Sequence, residues 1–235
     1  MFKVTAAAGF AVGMFAVAAH ASVITETFTV SAATPAFTVD LSVPSFNTGL
    51  GTLTAVAITA DTTETADLEV VNFNATKTGS FSSSTIAVPI MITGPLGTML
   101  NASVLTNPVS GSVSKRVGAV PGTTTISGLT DTTSSTLNVS SADFGGFERP
   151  PGGHSYTLSF VAGDTVVTGT KLTGPPPNHF STELFFGGDA EVGGTVTVQY
   201  TYTPVISTPE PASIAVLGVG VAGLIGFARR RKRRA

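Results

Sequence analysis

Apolar residues recur at every second position in several separate stretches, and no other feature limits the fold of this chain as strongly. Val196, Val198, Tyr200 and Tyr202 interleave with Thr195, Thr197, Gln199 and Thr201. The same period links Phe37, Val39, Leu41 and Val43, then Ile86, Val88, Ile90 and Ile92, then Tyr156, Leu158 and Phe160. Successive side chains of an extended strand point to opposite faces, so each run buries one face and wets the other. The interleaved Thr and Val are β-branched and suit a pleated sheet. Turn formers separate the runs: Asn47-Thr48-Gly49, Thr93-Gly94-Pro95, Pro121-Gly122, Pro150-Pro151-Gly152-Gly153, Pro175-Pro176-Pro177 and Gly187-Gly188. No long window between them carries a helical stripe. The pattern predicts an all-β fold, an antiparallel β-sandwich of jelly-roll or immunoglobulin-like topology. Pro89 interrupts an otherwise continuous run, which predicts an edge position or a bulge there.

The two ends do not follow this pattern. The chain opens Met1-Phe2-Lys3, continues through an uncharged stretch over residues 4–19, and reaches Ala19-His20-Ala21-Ser22. One positive charge, a short apolar core, and small Ala19 and Ala21 at the −3 and −1 positions before the cut predict a secretory signal peptide over residues 1–21. A buried helix of the mature domain would need a polar face, which this stretch lacks. At the other end, Pro209-Glu210-Pro211 precedes an uncharged run over residues 212–228, then Arg229, Arg230, Arg231, Lys232, Arg233 and Arg234. As a transmembrane helix that run spans about 25 Å, just enough to cross a bilayer core. Its four glycines are tolerated in lipid. The basic tail stays cytoplasmic by the positive-inside rule, which places the preceding residues outside the membrane. An ordinary tail anchor that is never cleaved is the competing reading.

The tripeptide, the apolar span and the arginine tail, in that order, resemble the PEP-CTERM sorting signal of Gram-negative bacteria. The resemblance covers residues 207–235 and implies three things. The chain is a substrate of an exosortase, an integral-membrane enzyme that processes near Pro209-Glu210-Pro211. It is held at the inner membrane through residues 212–228 with its ectodomain in the periplasm. It ends in the cell envelope, at the surface or in an extracellular matrix, in the setting of exopolysaccharide and biofilm production.

Removing both ends leaves residues 22–206, long enough to bury about 70 % of the unfolded chain's surface in one core. Within it, Thr25-Glu26-Thr27-Phe28, then Leu41, then residues 46–56 resemble the start of the choice-of-anchor E domains, and residues 196–202 resemble their closing strand. Asn47 stands where that pattern has Asp. The family is a bacterial surface domain joined to different C-terminal anchors, and the resemblance implies no particular activity.

Chemistry is sparse in this body. The absence of cysteine excludes a disulfide framework, a thiolate zinc site, an iron–sulfur cluster and a thiol nucleophile. The whole chain has a formal charge of −2, but 13 of the 14 acids and only five of the 12 bases fall within residues 22–206, a net of −8. A nucleic acid is therefore not an expected partner. His154 and His179 sit in Gly/Pro-rich loops with no ligand spacing toward Asp143 or Glu183. No Gly-x-Ser-x-Gly elbow singles out a nucleophile. Glu183 with Glu191 could form a glycosidase pair, yet no Trp is present for sugar stacking. Tyr156, Tyr200 and Tyr202 fall on strand patterns that suit packing. Asn74, Asn101 and Asn138 begin glycosylation-type triplets, which arise by chance in a Thr/Ser-rich chain.

Asp61, Glu64, Asp67 and Glu69 form the densest carboxylate cluster. On a loop such a group can hold calcium; on an edge it discourages aggregation. No cofactor and no enzymatic activity are expected. The favoured reading is a structural or adhesive surface protein whose partners are signal peptidase, an exosortase, the inner membrane and extracellular polysaccharide. The alternatives are a calcium- or carbohydrate-binding surface module and, third, an exported hydrolase.

Overall fold

The computed structural model describes residues 20–172 and 184–205. Ala19, Pro209-Glu210-Pro211, the predicted helix 212–228 and the basic tail lie outside them. The chain divides into Ala21–Thr203 and a second unit of Met1–His20 with Pro204–Ala235, and all the pairings below belong to the first. Its strands, in chain order, are β1 (Ser22–Ala33), β2 (Phe37–Pro44), β3 (Phe46–Asn47), β4 (Gly51–Asn72) and β5 (Gly79–Thr93). They continue with β6 (Met99–Leu105), β7 (Val109–Val113), β8 (Gly122–Asn138), β9 (Glu148–Arg149), β10 (Ser155–Ala162), β11 (Val166–Leu172) and β12 (Leu184–Pro204). Helical structure among the described residues is limited to three short 3-10 turns.

The fold is an all-β sandwich. One sheet runs β1-β12-β4-β8; the other is six-stranded, built on β5, which pairs with β6, β7, β10 and β11 while β2 adds to β10. β3 and β9 make a short parallel pair beside them. The core joins Val56, Ile58, Leu68 and Val70 of β4 to Ile86, Val88, Ile90 and Ile92 of β5, Leu158 and Phe160 of β10, and Val196, Val198 and Tyr200 of β12. Of the other residues that alternation assigns to buried faces, Leu41, Val43 and Tyr156 join this core, whereas Phe37, Val39 and Tyr202 are only partly buried against it. At about 0.8 kcal/mol per buried CH2, burial of this size is what drives the two sheets together.

The long strand β5 explains Pro89. Ala87 pairs with both β6 and β11, so these lie on opposite edges of β5; β10, which overlaps β6, shares the β11 edge. β11 serves residues 80–87 and β10 serves residues 90–93. Pro89 falls in the gap between them, and its carbonyl accepts from Gly163 N–H at 2.9 Å. The N and C=O of one strand residue point the same way, so the missing N–H faces the gap and leaves no ladder bond broken. Pro89 therefore marks a change of partner along an interior strand, in place of the predicted edge or bulge.

Candidate functional site

Calcium ligation by the four clustered acids is not what the backbone arranges. Asp61, Glu64, Asp67 and Glu69 all lie within β4, an extended interior strand rather than a loop or an edge. The period of two sends Asp61, Asp67 and Glu69 to the solvent face and Glu64 to the buried face. Asp61 and Asp67 stand six residues apart, roughly 20 Å along the strand. Among the described residues no three His, Asp or Glu side chains come close enough to hold a metal ion.

Asp67 has a structural role. The β4–β8 ladder shifts register between Ala66 and Leu68, opposite Leu129 and Ile126. Gly128 sits in that bulge with φ at +72°, and its N–H donates to Asp67 Oδ1 at 2.9 Å. Glycine supplies the left-handed backbone and the carboxylate satisfies the displaced N–H.

Pairing across the sheet builds a groove that the linear order conceals. A cleft of about 360 Å³ on the solvent side of this sheet is lined by Thr34, Thr65, Ala66, Asp67, Asp189, Ala190 and Glu191. It brings two acids of β12 beside Asp67 of β4, with hydroxyls from Thr34 and Thr65. Among the described residues the lining holds three carboxylates and no lysine or arginine, which favours hydrogen-bond donors and positive charge. Glu183, the partner considered for Glu191, lies outside the described residues, as does His179.

Glu64 is the unusual group. It is fully buried, and neither carboxylate oxygen has a hydrogen-bond partner among the described residues. Its register partner on β8 is Asp131, half-buried on the same face. Burial, and secondarily the Asp131 charge, push its pKa up to about 7. The clustering of acids drew attention to this region, but only the alternation of Thr62, Glu64, Ala66 and Leu68 could have placed Glu64 inward.

The other candidates are spent locally. His154 is exposed, and its carbonyl accepts from Ser45 N–H at 2.9 Å. Asp143 lies in the 3-10 turn Ser141–Gly146. Asn74 Oδ1 accepts from Thr76 N, Thr76 Oγ1 and Lys77 N, which commits the carboxamide to its own turn. Tyr156 and Tyr200 are buried and joined hydroxyl to hydroxyl. Two residues that alternation does not single out, Phe73 and Phe185, are exposed and meet edge to face at 5.3 Å, with Lys171 Nζ 5.7 Å from the Phe185 ring.

Comparison with known proteins adds one substantive finding. Residues 207–234 match the family described as the PEP-CTERM protein-sorting motif, the segment identified from its tripeptide, apolar run and basic tail. A motif of this kind marks its carrier for export and for exosortase processing at the membrane. No curated protein sequence matches the chain. Among solved structures, a chain of infectious bursal disease virus strain Gx is 13 % identical, with 79 % of this chain and 37 % of that one covered and a TM-score of 0.16. A chain of strain Gt is 11 % identical, with 84 % and 47 % covered and a TM-score of 0.16. The protein spans less than half the length of either viral chain. At those scores the likeness carries no argument.

Proposed function

We propose that this is an exported protein held transiently at the inner membrane by residues 212–228. An exosortase processes it near Pro209-Glu210-Pro211 and releases it to the envelope or the extracellular polymer. There its β-sandwich acts as a structural or adhesive module of an exopolysaccharide layer, and not as an enzyme. The observation that carries this reading is the sorting motif over residues 207–234.

The surface chemistry of the sandwich supports it. Thr25, Thr27 and Thr29 of β1 line up with Gln199, Thr197 and Thr195 of β12. Thr63 and Thr65 of β4 face Thr132 and Thr130 of β8. These rows of hydroxyls, with the Gln199 carboxamide, suit a hydrated, uncharged polymer, each group able both to donate and to accept. The segments that resemble the choice-of-anchor E domain belong to the same arrangement, since Thr27 pairs with Thr197 and Phe28 with Val196.

Intact-mass measurement of the protein recovered from the envelope and medium tests the sorting step. Chains ending at or near Pro209-Glu210-Pro211 are expected. A product that still ends at Ala235 overturns it.

The groove of Asp67, Asp189 and Glu191 favours a second reading, a carbohydrate-binding surface module. A glycan array with the full chain separates the two. Selective binding that D189N/E191Q removes supports the module, and absence of any selective ligand supports the structural role.

A further inference from the structure

A buried carboxyl group with two unpartnered oxygens is costly, because desolvation is not offset by hydrogen bonds. The cost depends on protonation. A neutral acid forfeits hydrogen bonds alone; a carboxylate also forfeits its hydration and meets whatever charge lies near it. Glu64 is in this position, at the middle of β4, opposite Asp131 across the ladder to β8.

Among the described residues, the surroundings of Glu64 hold no positive charge to offset it. On its own face of β4 stand Thr62, Ala66 and Leu68. Thr62 Oγ1 donates to Thr133 O at 3.4 Å and so does not serve the carboxyl group. On β12, the other neighbour of β4, Ala190 and Val192 are buried, whereas Asp189 and Glu191 face solvent. The opposing strands β5, β6 and β7 contain no ionisable side chain. Asp143 lies on the turn just after Val139, which bonds Val56 O at the far end of β4. Among the described residues Asp131 is the one charged group facing Glu64, and its sign is the same.

The strand that carries Asp131 is held in its sheet by a single ladder. Among the described residues β8 is an edge of its sheet, with β4 as its only partner there. Its inward residues, among them Thr124, Ile126, Leu129 and Thr133, are only half-buried. An edge strand separates at the cost of one ladder; an interior strand needs two.

We propose that Glu64, facing Asp131 across the β4–β8 ladder, is a proton-operated latch. The folded domain holds Glu64 as a neutral acid, and loss of that proton frees the edge strand β8. No covalent step is involved; the proton passes to water. The direction of the pH effect follows from the elevated pKa, about 7 against the ordinary 4.5. Below about 4.5 the group is protonated whether folded or not. Between about 4.5 and 7 only the unfolded or opened form releases the proton, so closure weakens as pH rises. Above about 7 both forms are ionised and the loss is complete. Across that window the latch weakens closure by roughly two orders of magnitude in the opening constant.

The test is hydrogen exchange and denaturant unfolding of the full chain at pH 4.5 to 8.5, in the wild type, E64Q and D131N, with and without calcium. Intrinsic exchange rates are divided out. Expected in the wild type is a roughly hundredfold loss of protection at residues 62–66 and 129–133 between pH 4.5 and 7, levelling off above, while the β2–β10 ladder is unaffected. E64Q removes this component, and D131N reduces it and moves its upper limit to lower pH. D131N changes a half-buried group on an edge strand, so it keeps the test decisive should E64Q fail to fold. Equal pH profiles in the wild type and E64Q overturn the proposal, as does a D131N profile identical to the wild type. Recovery of protection by calcium above pH 7 in the wild type but not in E64Q also overturns it, by giving the pair to a bound cation.

Discussion

The hydroxyls of Tyr156 and Tyr200 lie 2.7 Å apart inside the sandwich, one from each sheet. Tyr200 donates its single proton to Pro44 O at 2.9 Å, so Tyr156 is the donor to Tyr200. The resulting chain of polar contacts links β10 to β12 and to the end of β2, and the rings pack on Phe147 and Phe46.

That order of donors makes the two tyrosines unequal. Y200F leaves Pro44 O without its donor and Tyr156 without its acceptor, and is expected to cost about 2–3 kcal/mol. Y156F removes one donor from a hydroxyl that still reaches Pro44, and costs about 1 kcal/mol. Urea unfolding of the two variants measures the difference; equal losses would show that the direction of donation is wrong.

The same pair sets an alkaline limit. Burial raises Tyr200 to about 12, and burial followed by the charge of Tyr200 raises Tyr156 further still. Stability that is complete below about pH 10 is therefore lost as pH rises toward 12, because the unfolded chain releases these protons first. Spectroscopic titration of the phenolates is expected to show them ionising late, together with unfolding.

Two glycines of β12 separate close packing from mere sequence preference. A β-carbon at Gly194 would overlap the carbonyl oxygen of Asp61 and crowd Thr62 Cα, whereas one at Gly187 meets nothing within 4 Å. G194A is expected to destabilise by about 1–3 kcal/mol or more, since the obstruction is backbone. G187A should stay within about 0.5 kcal/mol of the wild type. Thermal melts of the two variants suffice.

The acids of β4 are expected to behave as individuals. D67A deprives Gly128 N–H of its acceptor and costs about 1 kcal/mol. G128A imposes a side chain on a left-handed backbone and costs about 1 kcal/mol or more. D61N and E69Q, on the solvent face with no such bond, stay near zero. Comparable losses at Asp61, Asp67 and Glu69 would instead indicate that the acids act as a unit.

Alternation was readable wherever the inward positions were purely apolar, as in residues 196–202 and 86–92. It was obscured along β4, where Thr62, Glu64 and Ala66 occupy inward positions beside Leu68 and Val70. A polar residue on a core face breaks the pattern on which strand recognition rests. For that reason the acids there suggested a solvated edge or a calcium-holding loop. The sorting motif could be read from the chain alone because its parts are contiguous. The groove could not, because Asp67 and Asp189 are brought together by pairing between strands far apart in sequence, and the sequence does not specify which strands become neighbours.

Ser22 pairs with Tyr202, so the first and last strands of the body begin and end at one pole of the sandwich. The C-terminal strand β12 is bonded on one flank to β1 and on the other to β4. A mechanical load entering at Pro204 therefore meets an internal strand gripped by two ladders, and must shear both at once. Were the pull applied at Ser22 instead, β1 could unzip one bond at a time, so the domain is built to resist drag from its C-terminal side.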